Sequence, residues 1–355
     1  MSNTVNIPQM TLSPGHPIPR VIVGCWQLAG GHGTIRPSDA IEHLCAFFER
    51  GFTAFDCADI YTGVEELLGR FRTQCKARFG KASERLRIHT KFVPDADTLA
   101  SISKKDVRGV IHRSLRRLGV DRLDLVQMHW WDFGIPGYLD AAHYLAELQE
   151  EGDICDIATT NVDTVHLEEI VDSGIKLVSQ QVQYSVLDRR PEKSLVQLAQ
   201  EKEFMLLCYG TAAGGFLADK YLGVAEPTGP DENRSLTKYS RIIREIGDWE
   251  CFQRILSVLR DIAEKHQVSI TNIATRYMLE QPQVGGIILG MRNAEHLADT
   301  CRMCELVLDD QDLRAIRGVV GLGKELEGDV YGLEREKQGV HAKIMKTDLQ
   351  RPSAR

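Results

Sequence analysis

The chain has 355 residues, with 43 Lys+Arg against 50 Asp+Glu and a formal net charge of −7. At 43% hydrophobic and 26% charged it has the composition of a soluble globular protein, and the mildly acidic balance argues against nucleic acid or an anionic membrane as the main partner. No apolar run approaches the ~20 residues that span a membrane. The start, MSNTVNIPQMTLSPGHPIP, lacks a secretory pattern, so a cytoplasmic location is expected.

The leading segment MTLSPGHPIP surrounds a Pro-Gly turn and reads as a hairpin able to plug a barrel floor. VIVGCW follows as the first strand, with Gly24, Trp26 and Gln27 at its end, and SDAIEHLCAFFERG as its helix. The later strands are FTAFDCA, RIHTKF, LDLVQMHW, ICDIATTN, LVSQQVQY, MLLCYG and GIILGM. Between them KKDVRGVIHRSLRRLG, YLDAAHYLAELQEEG and PEKSLVQLAQEKE carry apolar residues at helical spacing, and several of these stretches end in a glycine suited to a C-cap. Eight β-then-α units fit a closed (β/α)8 TIM barrel better than an open doubly wound sheet.

The stretch ADKYLGVAEPTGPDENRSLTKYSR is rich in turn formers and charge, and reads as a long loop after the seventh strand. From about Gly321 the chain is charged and mixed, either a loop over the barrel top or a disordered end. One domain over 1–355 is expected, with the barrel at about 20–320 and a tail at 321–355. The nine cysteines show no disulfide rhythm, and Cys301 and Cys304 in CRMC read as two positions on one helix face. The eleven histidines show no metal-ligand spacing, so no metal is assigned.

The polar residues that end the strands carry the chemistry. Asp56 ends the second strand and leads to Tyr61; Lys91 ends the third and His129 the fourth. In a barrel all four converge on one face. A lysine inside an apolar strand needs a counter-ion, and Asp56 is the natural one. A phenol near that ammonium is expected to have its pKa lowered, which makes Tyr61 a proton donor to a carbonyl oxygen and His129 a group that positions the same oxygen.

The segment Asp56-x-Ala58-x-x-Tyr61, with Glu65, Leu68 and Gly69, resembles the aldo-keto reductase signature, and Lys91 in HTKF and His129 in LDLVQMHW match the family's other two active-site positions. The resemblance runs from about Val21 to Leu308 in the right order. It implies hydride transfer between a nicotinamide cofactor and a carbonyl compound, with Tyr61 as general acid, Lys91 lowering its pKa, Asp56 paired to Lys91, and His129 orienting the substrate. It further implies that Thr160, Asn161 and Gln181 hold the cofactor amide, that Tyr209 faces the nicotinamide ring, and that GMRNAEHLADT carries the adenosine end through Gly290, Arg292, His296 and Asp299. Gly24, Trp26 and Gly210 complete the implied cofactor contacts.

This sequence departs from the family by Thr160 in place of a serine, and by Gly290-Met291-Arg292 where many members have Lys-Ser. Arg292 can still grip a 2′-phosphate with two hydrogen bonds, so NADP(H) is favoured and NAD(H) remains open. Trp26, Trp130 and Trp131 are candidates for the substrate pocket, with packing as the rival reading. The loop DFGIPG and the tail segment EGDVYGLERE are candidates to shape it. The substrate is a small-molecule carbonyl or alcohol; its identity, the reaction direction and the oligomeric state are not legible. The alternative function is an NADP(H)-binding regulatory or sensor subunit with little turnover, against which the short N-terminal segment counts.

Overall fold

The computed structural model describes residues 5–30, 35–228 and 233–344. The glycine-histidine-glycine of GCWQLAGGHG, the tip of the long loop and the last residues of the tail lie outside them. Two short strands, β1 (Gln9–Thr11) and β2 (Pro17–Pro19), pair antiparallel. Eight parallel strands then close into a barrel: β3 (Val21–Gly24), β4 (Ala54–Asp56), β5 (Arg87–Phe92), β6 (Leu123–Met128), β7 (Ile154–Thr160), β8 (Ser179–Gln183), β9 (Met205–Tyr209) and β10 (Val284–Gly290). Each barrel strand lies within, or overlaps, one of the eight apolar runs.

The helices are α1 (Pro37–Glu49), α2 (Val64–Phe79), α3 (Lys104–Leu118), α4 (Tyr138–Glu150), α5 (Thr164–Asp172), α6 (Leu195–Glu201), α7 (Arg234–Ile246), α8 (Trp249–His266), α9 (Ile270–Leu279), α10 (Leu297–Glu305), α11 (Asp310–Val320) and the single turn α12 (Gly332–Arg335). Local chemistry sets their ends. Ser103 and Asp106 form a reciprocal capping box at the start of α3, and Gly119 closes that helix in the left-handed conformation. Gly69 lets α2 approach α3 closely, since a Cβ there would run into the Arg117 carbonyl.

Strand alternation sorts the core into two regions. Val21 and Val23 of β3 face the helices, whereas Ile22 points inward to join Ala54, Leu125, Ala158, Val178 and Leu207. Ile18 of the hairpin closes this inner cluster from below, with Met10 and Leu12 packed on it. The hairpin therefore plugs the floor, and it is tied there by polar contacts: Ser13 donates to Asp156 Oδ2 (2.7 Å) and His16 Nδ1 lies 2.7 Å from the same oxygen.

Two expectations change. The segment read as one long loop after β9 becomes helix α7 from Arg234 onward, because Asn233 accepts from the Leu236 amide as N-cap and Leu236, Tyr239, Ile242, Ile243 and Ile246 form a buried stripe. The tail, left open between loop and disorder, docks on the barrel mouth as far as it is described. Glu334, with a side chain 0% exposed, lies 3.4 Å from Arg190 Nη1 and 3.0 Å from Lys238 Nζ, and Arg190 is itself bonded by Asp188 (2.6 Å).

Candidate active site

The strand ends meet in one cavity of about 1070 Å³ at the C-terminal face of the barrel. Its wall includes Gly24, Trp26, Asp56, Tyr61, Lys91, His129, Trp131, Thr160, Asn161 and Gln181, and continues through Tyr209 and Gly210 to Gly290, Arg292, His296 and Asp299. Sixteen of the seventeen residues singled out in the sequence thus converge. The exception is Trp130.

Asp56 is the hub. It is buried at the end of β4, and Lys91 Nζ donates to its Oδ1 at 2.6 Å. Its other oxygen accepts from Gln127 Nε2 and Gln181 Nε2, both at 2.7 Å. Lys91 also donates to the Cys57 carbonyl at 2.8 Å. Buried ions are tolerated only when paired and hydrogen-bonded in this way. Sequence reasoning missed Gln127. The available signal was a glutamine two positions before His129, hence on the same inward face of the strand.

Tyr61 stands beside this hub, edge-on to Trp26 with ring centroids 4.8 Å apart and with Lys91 Nζ 5.4 Å from its ring centroid. Its hydroxyl has no hydrogen-bond partner among the described residues. The expected lowering of its pKa is not found: burial first, then the charge of Asp56, hold the phenol well above its usual range. Lys91 spends its charge on Asp56 and meets Tyr61 at the ring, so the carboxylate offsets its influence. The phenol accordingly keeps its proton at neutral pH.

His129 lies just past β6, buried, with Nδ1 3.1 Å from the Thr160 carbonyl. Burial, then the Arg335 and Lys91 charges, push its pKa down to about 3, so the ring is neutral. Trp131 and Tyr331 meet it edge-on, at 4.6 and 5.8 Å between centroids. Trp131 donates to the Pro94 carbonyl (2.8 Å) and lines the cavity. Trp130 is 0% exposed in the core, its indole N–H shared between the Asp132 and Ile135 carbonyls. Trp130 therefore packs under the mouth and lines nothing.

The rest of the wall offers contacts for a dinucleotide. Thr160 Oγ1 is buried without a hydrogen-bond partner, an orphaned hydroxyl suited to a carboxamide. Asn161, with φ of 58°, accepts from Tyr209 Oη (2.8 Å) and has its amide nitrogen to spare. Gln181 commits its nitrogen to Asp56 and to Gln127 Oε1, which leaves only its carbonyl for a ligand. At Gly210, with φ of +78°, any Cβ would overlap the Tyr239 hydroxyl. Arg292 has no ion-pair or hydrogen-bond partner among the described residues. Asp299 is already bonded by Ser269 (2.9 Å), Asn272 (3.1 Å) and Arg302 (2.8 Å), so its carboxylate is largely spoken for. The same wall carries Lys220, Arg234 and Lys238 from the loop after β9 and from α7, none of them singled out from sequence. The donor set, the room and the basic end fit a dinucleotide.

A family model described as "Aldo/keto reductase family" matches residues 20–320. The chain belongs to the aldo/keto reductase family. It is similar to the protein tas of Escherichia coli, 31% identical over 62% of this chain and 68% of that protein. It is also similar to the NADH-specific methylglyoxal reductase of Escherichia coli, 24% identical over 84% of this chain and 93% of that enzyme. Among solved structures, the glycerol dehydrogenase of Gluconobacter oxydans shares the fold with a TM-score of 0.74 at 22% identity, covering 92% of this chain and 98% of that one. A thermostable aldo-keto reductase crystallised with epalrestat does so with a TM-score of 0.69 at 24% identity, over 88% and 100%. This aldo/keto reductase is therefore an oxidoreductase that works with a nicotinamide cofactor and interconverts carbonyl and alcohol groups.

Proposed function

We propose that this chain is an NADP(H)-dependent oxidoreductase that interconverts an aldehyde or ketone with its alcohol, with Tyr61 as general acid and base. The observation that carries this reading is the Tyr61 hydroxyl, protonated, without a partner among the described residues, and placed in the cavity wall beside the Asp56–Lys91 pair and His129. A bound nicotinamide supplies the hydride. Tyr61 delivers its proton to the substrate oxygen as negative charge grows there. Lys91 stays paired to Asp56, so the two charges offset each other beside the phenol and Tyr61 holds its proton until the substrate oxygen takes it. Asp56, fixed by Gln127 and Gln181, holds the ammonium in place.

Thr160, Asn161 and the Gln181 carbonyl are assigned to the carboxamide end, and Tyr209 to the ring. Arg292 is assigned to the 2′-phosphate, supported by its lack of any competing carboxylate partner among the described residues. Trp26, Trp131 and Tyr331 wall the substrate end. The barrel and the docked tail are read as one domain, and the composition supports a cytoplasmic setting.

Replacing Tyr61 by Phe removes the proton donor at nearly constant volume. Carbonyl reduction should be abolished while nucleotide binding survives; a near-normal kcat would remove Tyr61 from the role of acid.

A further inference from the structure

A carbonyl oxygen only accepts hydrogen bonds, so the 3.1 Å contact between His129 Nδ1 and the Thr160 carbonyl puts the ring proton on Nδ1. A neutral imidazole in that tautomer turns a lone pair on Nε2 to the other side of the ring. The residues that directly follow each partner carry a second cross-link. The carbonyls of Trp130 and Asn161 both accept from Nη2 of Arg335, at 2.9 and 2.7 Å. The ends of β6 and β7 are thus bridged twice, once by His129 and once by a guanidinium from the tail.

Arg335 is expensive for such a role. It lies between the rings of Phe133 and Tyr331, its Cζ 4.7 and 5.0 Å from their centroids. Its Nε and Nη1 are buried without hydrogen-bond partners, and among the described residues no carboxylate reaches it within salt-bridge distance. A largely enclosed cation held by two carbonyls and two ring faces, with no carboxylate to pair it, costs stability. A methionine or leucine would fill the same space more cheaply, which makes the charge and its reach the features to explain.

We propose that Arg335 is a positioning residue for His129: it holds the β6 and β7 ends so that the imidazole stays in its Nδ1–H form and offers the cavity a hydrogen-bond acceptor for a substrate O–H. This rests on the reading of His129 as the residue that orients substrate, but changes the contact expected of it: without a proton on Nε2 the ring cannot donate to the carbonyl oxygen and orients the substrate through a hydroxyl instead. Tyr61 and His129 then have opposite polarity, a donor for the carbonyl oxygen and an acceptor for a hydroxyl on the neighbouring carbon. The charged or titratable groups acting on the ring are Lys91 from β5 and Arg335 and Tyr331 from the tail; Trp131, from the loop after β6, is neutral. Loss of the Arg335 charge therefore raises the midpoint at which His129 protonates.

The test uses Arg335→Met and Arg335→Lys in the full-length protein, with two readouts. Nitrogen-15 NMR of the imidazole reports the His129 tautomer and its titration. Values of kcat/KM for a 2-hydroxy aldehyde and its deoxy counterpart report the acceptor. The wild type should show the Nδ1–H form at pH 7 and prefer the hydroxylated substrate by about tenfold, the worth of one net hydrogen bond. The Met variant should mix tautomers, titrate at higher pH and lose most of that preference. The Lys variant keeps the charge but reaches one carbonyl, so it should titrate like the wild type while losing part of the preference; it also serves if the Met variant folds poorly. An Nε2–H tautomer in the wild type overturns the proposal, as does an unchanged spectrum in the Met variant or an equal fall on both substrates. Failure to reduce either aldehyde overturns the reductase reading instead, and the NMR result still decides the Arg335–His129 link.

Discussion

Glu334→Gln probes how the tail is held to the barrel. The carboxylate is fully buried between Arg190 and Lys238, which come from the segment after β8 and from α7. Burial works to raise its pKa, yet the Lys238 and Arg190 charges hold it down at about 2, against an ordinary 4.5. At ~1.4 kcal/mol for each pH unit, that difference corresponds to roughly 3 kcal/mol of stability. Glutamine keeps the volume and removes the charge. Arg190 retains Asp188, but Lys238 is left without its carboxylate, and breaking a buried pair in this way costs about 3–5 kcal/mol.

Unfolding entropy near 2.1 cal/mol/K per residue gives a chain of this length roughly 0.75 kcal/mol/K, so Tm should fall by about 4–7 °C at pH 7. The sign of the pH dependence is fixed. A carboxylate with a depressed folded pKa stabilises fully above its unfolded pKa, and that contribution is lost as pH falls from 4.5 towards 2. The difference between wild type and variant, followed by urea denaturation, should therefore be largest at neutral pH and shrink below pH 4.5. A gap that stays constant with pH would refute the assignment to this ion cluster, and no loss of stability at all would show that the tail is held by packing alone.

Arg292→Ala should weaken NADPH binding by roughly 1.5–3 kcal/mol, the worth of a bidentate charge-assisted contact, while NADH binding barely changes; equal losses in a titration of both would take Arg292 out of the phosphate site. Because burial raises the Tyr61 pKa, reduction should run unimpeded at neutral pH, whereas alcohol oxidation, which needs the phenolate, should climb steadily towards pH 10 and beyond. An oxidation rate already flat by pH 8 would contradict that ordering. His129 stays neutral in the fold to about pH 3, and His89, buried in the barrel interior, is likewise held well below 6.5. The unfolded chain takes up those protons near pH 6.5, so stability is complete above that pH and should drop by roughly 1.4 kcal/mol per pH unit for each ring below it. A denaturation midpoint unchanged between pH 7 and pH 5 would argue against buried neutral histidines.

The barrel was legible because each strand is a short apolar run followed by a helical pattern, and Asp56, Lys91 and His129 stand out as polar residues at the ends of such runs. α7 was not legible, because its apolar stripe begins directly behind a stretch of prolines, glycines and charges that reads as loop. Trp130 and Trp131 are adjacent and chemically identical, so only the fold separates the one that packs from the one that faces the cavity. The pKa of Tyr61 was misjudged for a related reason: the sequence brings a lysine near it, but only geometry shows that Asp56 claims the ammonium. Glu334 lies about a hundred residues or more from Lys238 and Arg190, and Arg335 lies farther still from the carbonyls it binds, in a segment without periodicity, so nothing local marks them as buried.

The most direct test of the proposed function is oxidation of NADPH, beside NADH, by the purified protein with a reactive aromatic aldehyde, with Tyr61→Phe as the control. Turnover that prefers NADPH and vanishes in the control is the expected result. Tight nucleotide binding with no turnover across a panel of carbonyl compounds would contradict it, and would point to a protein that holds the cofactor without using it.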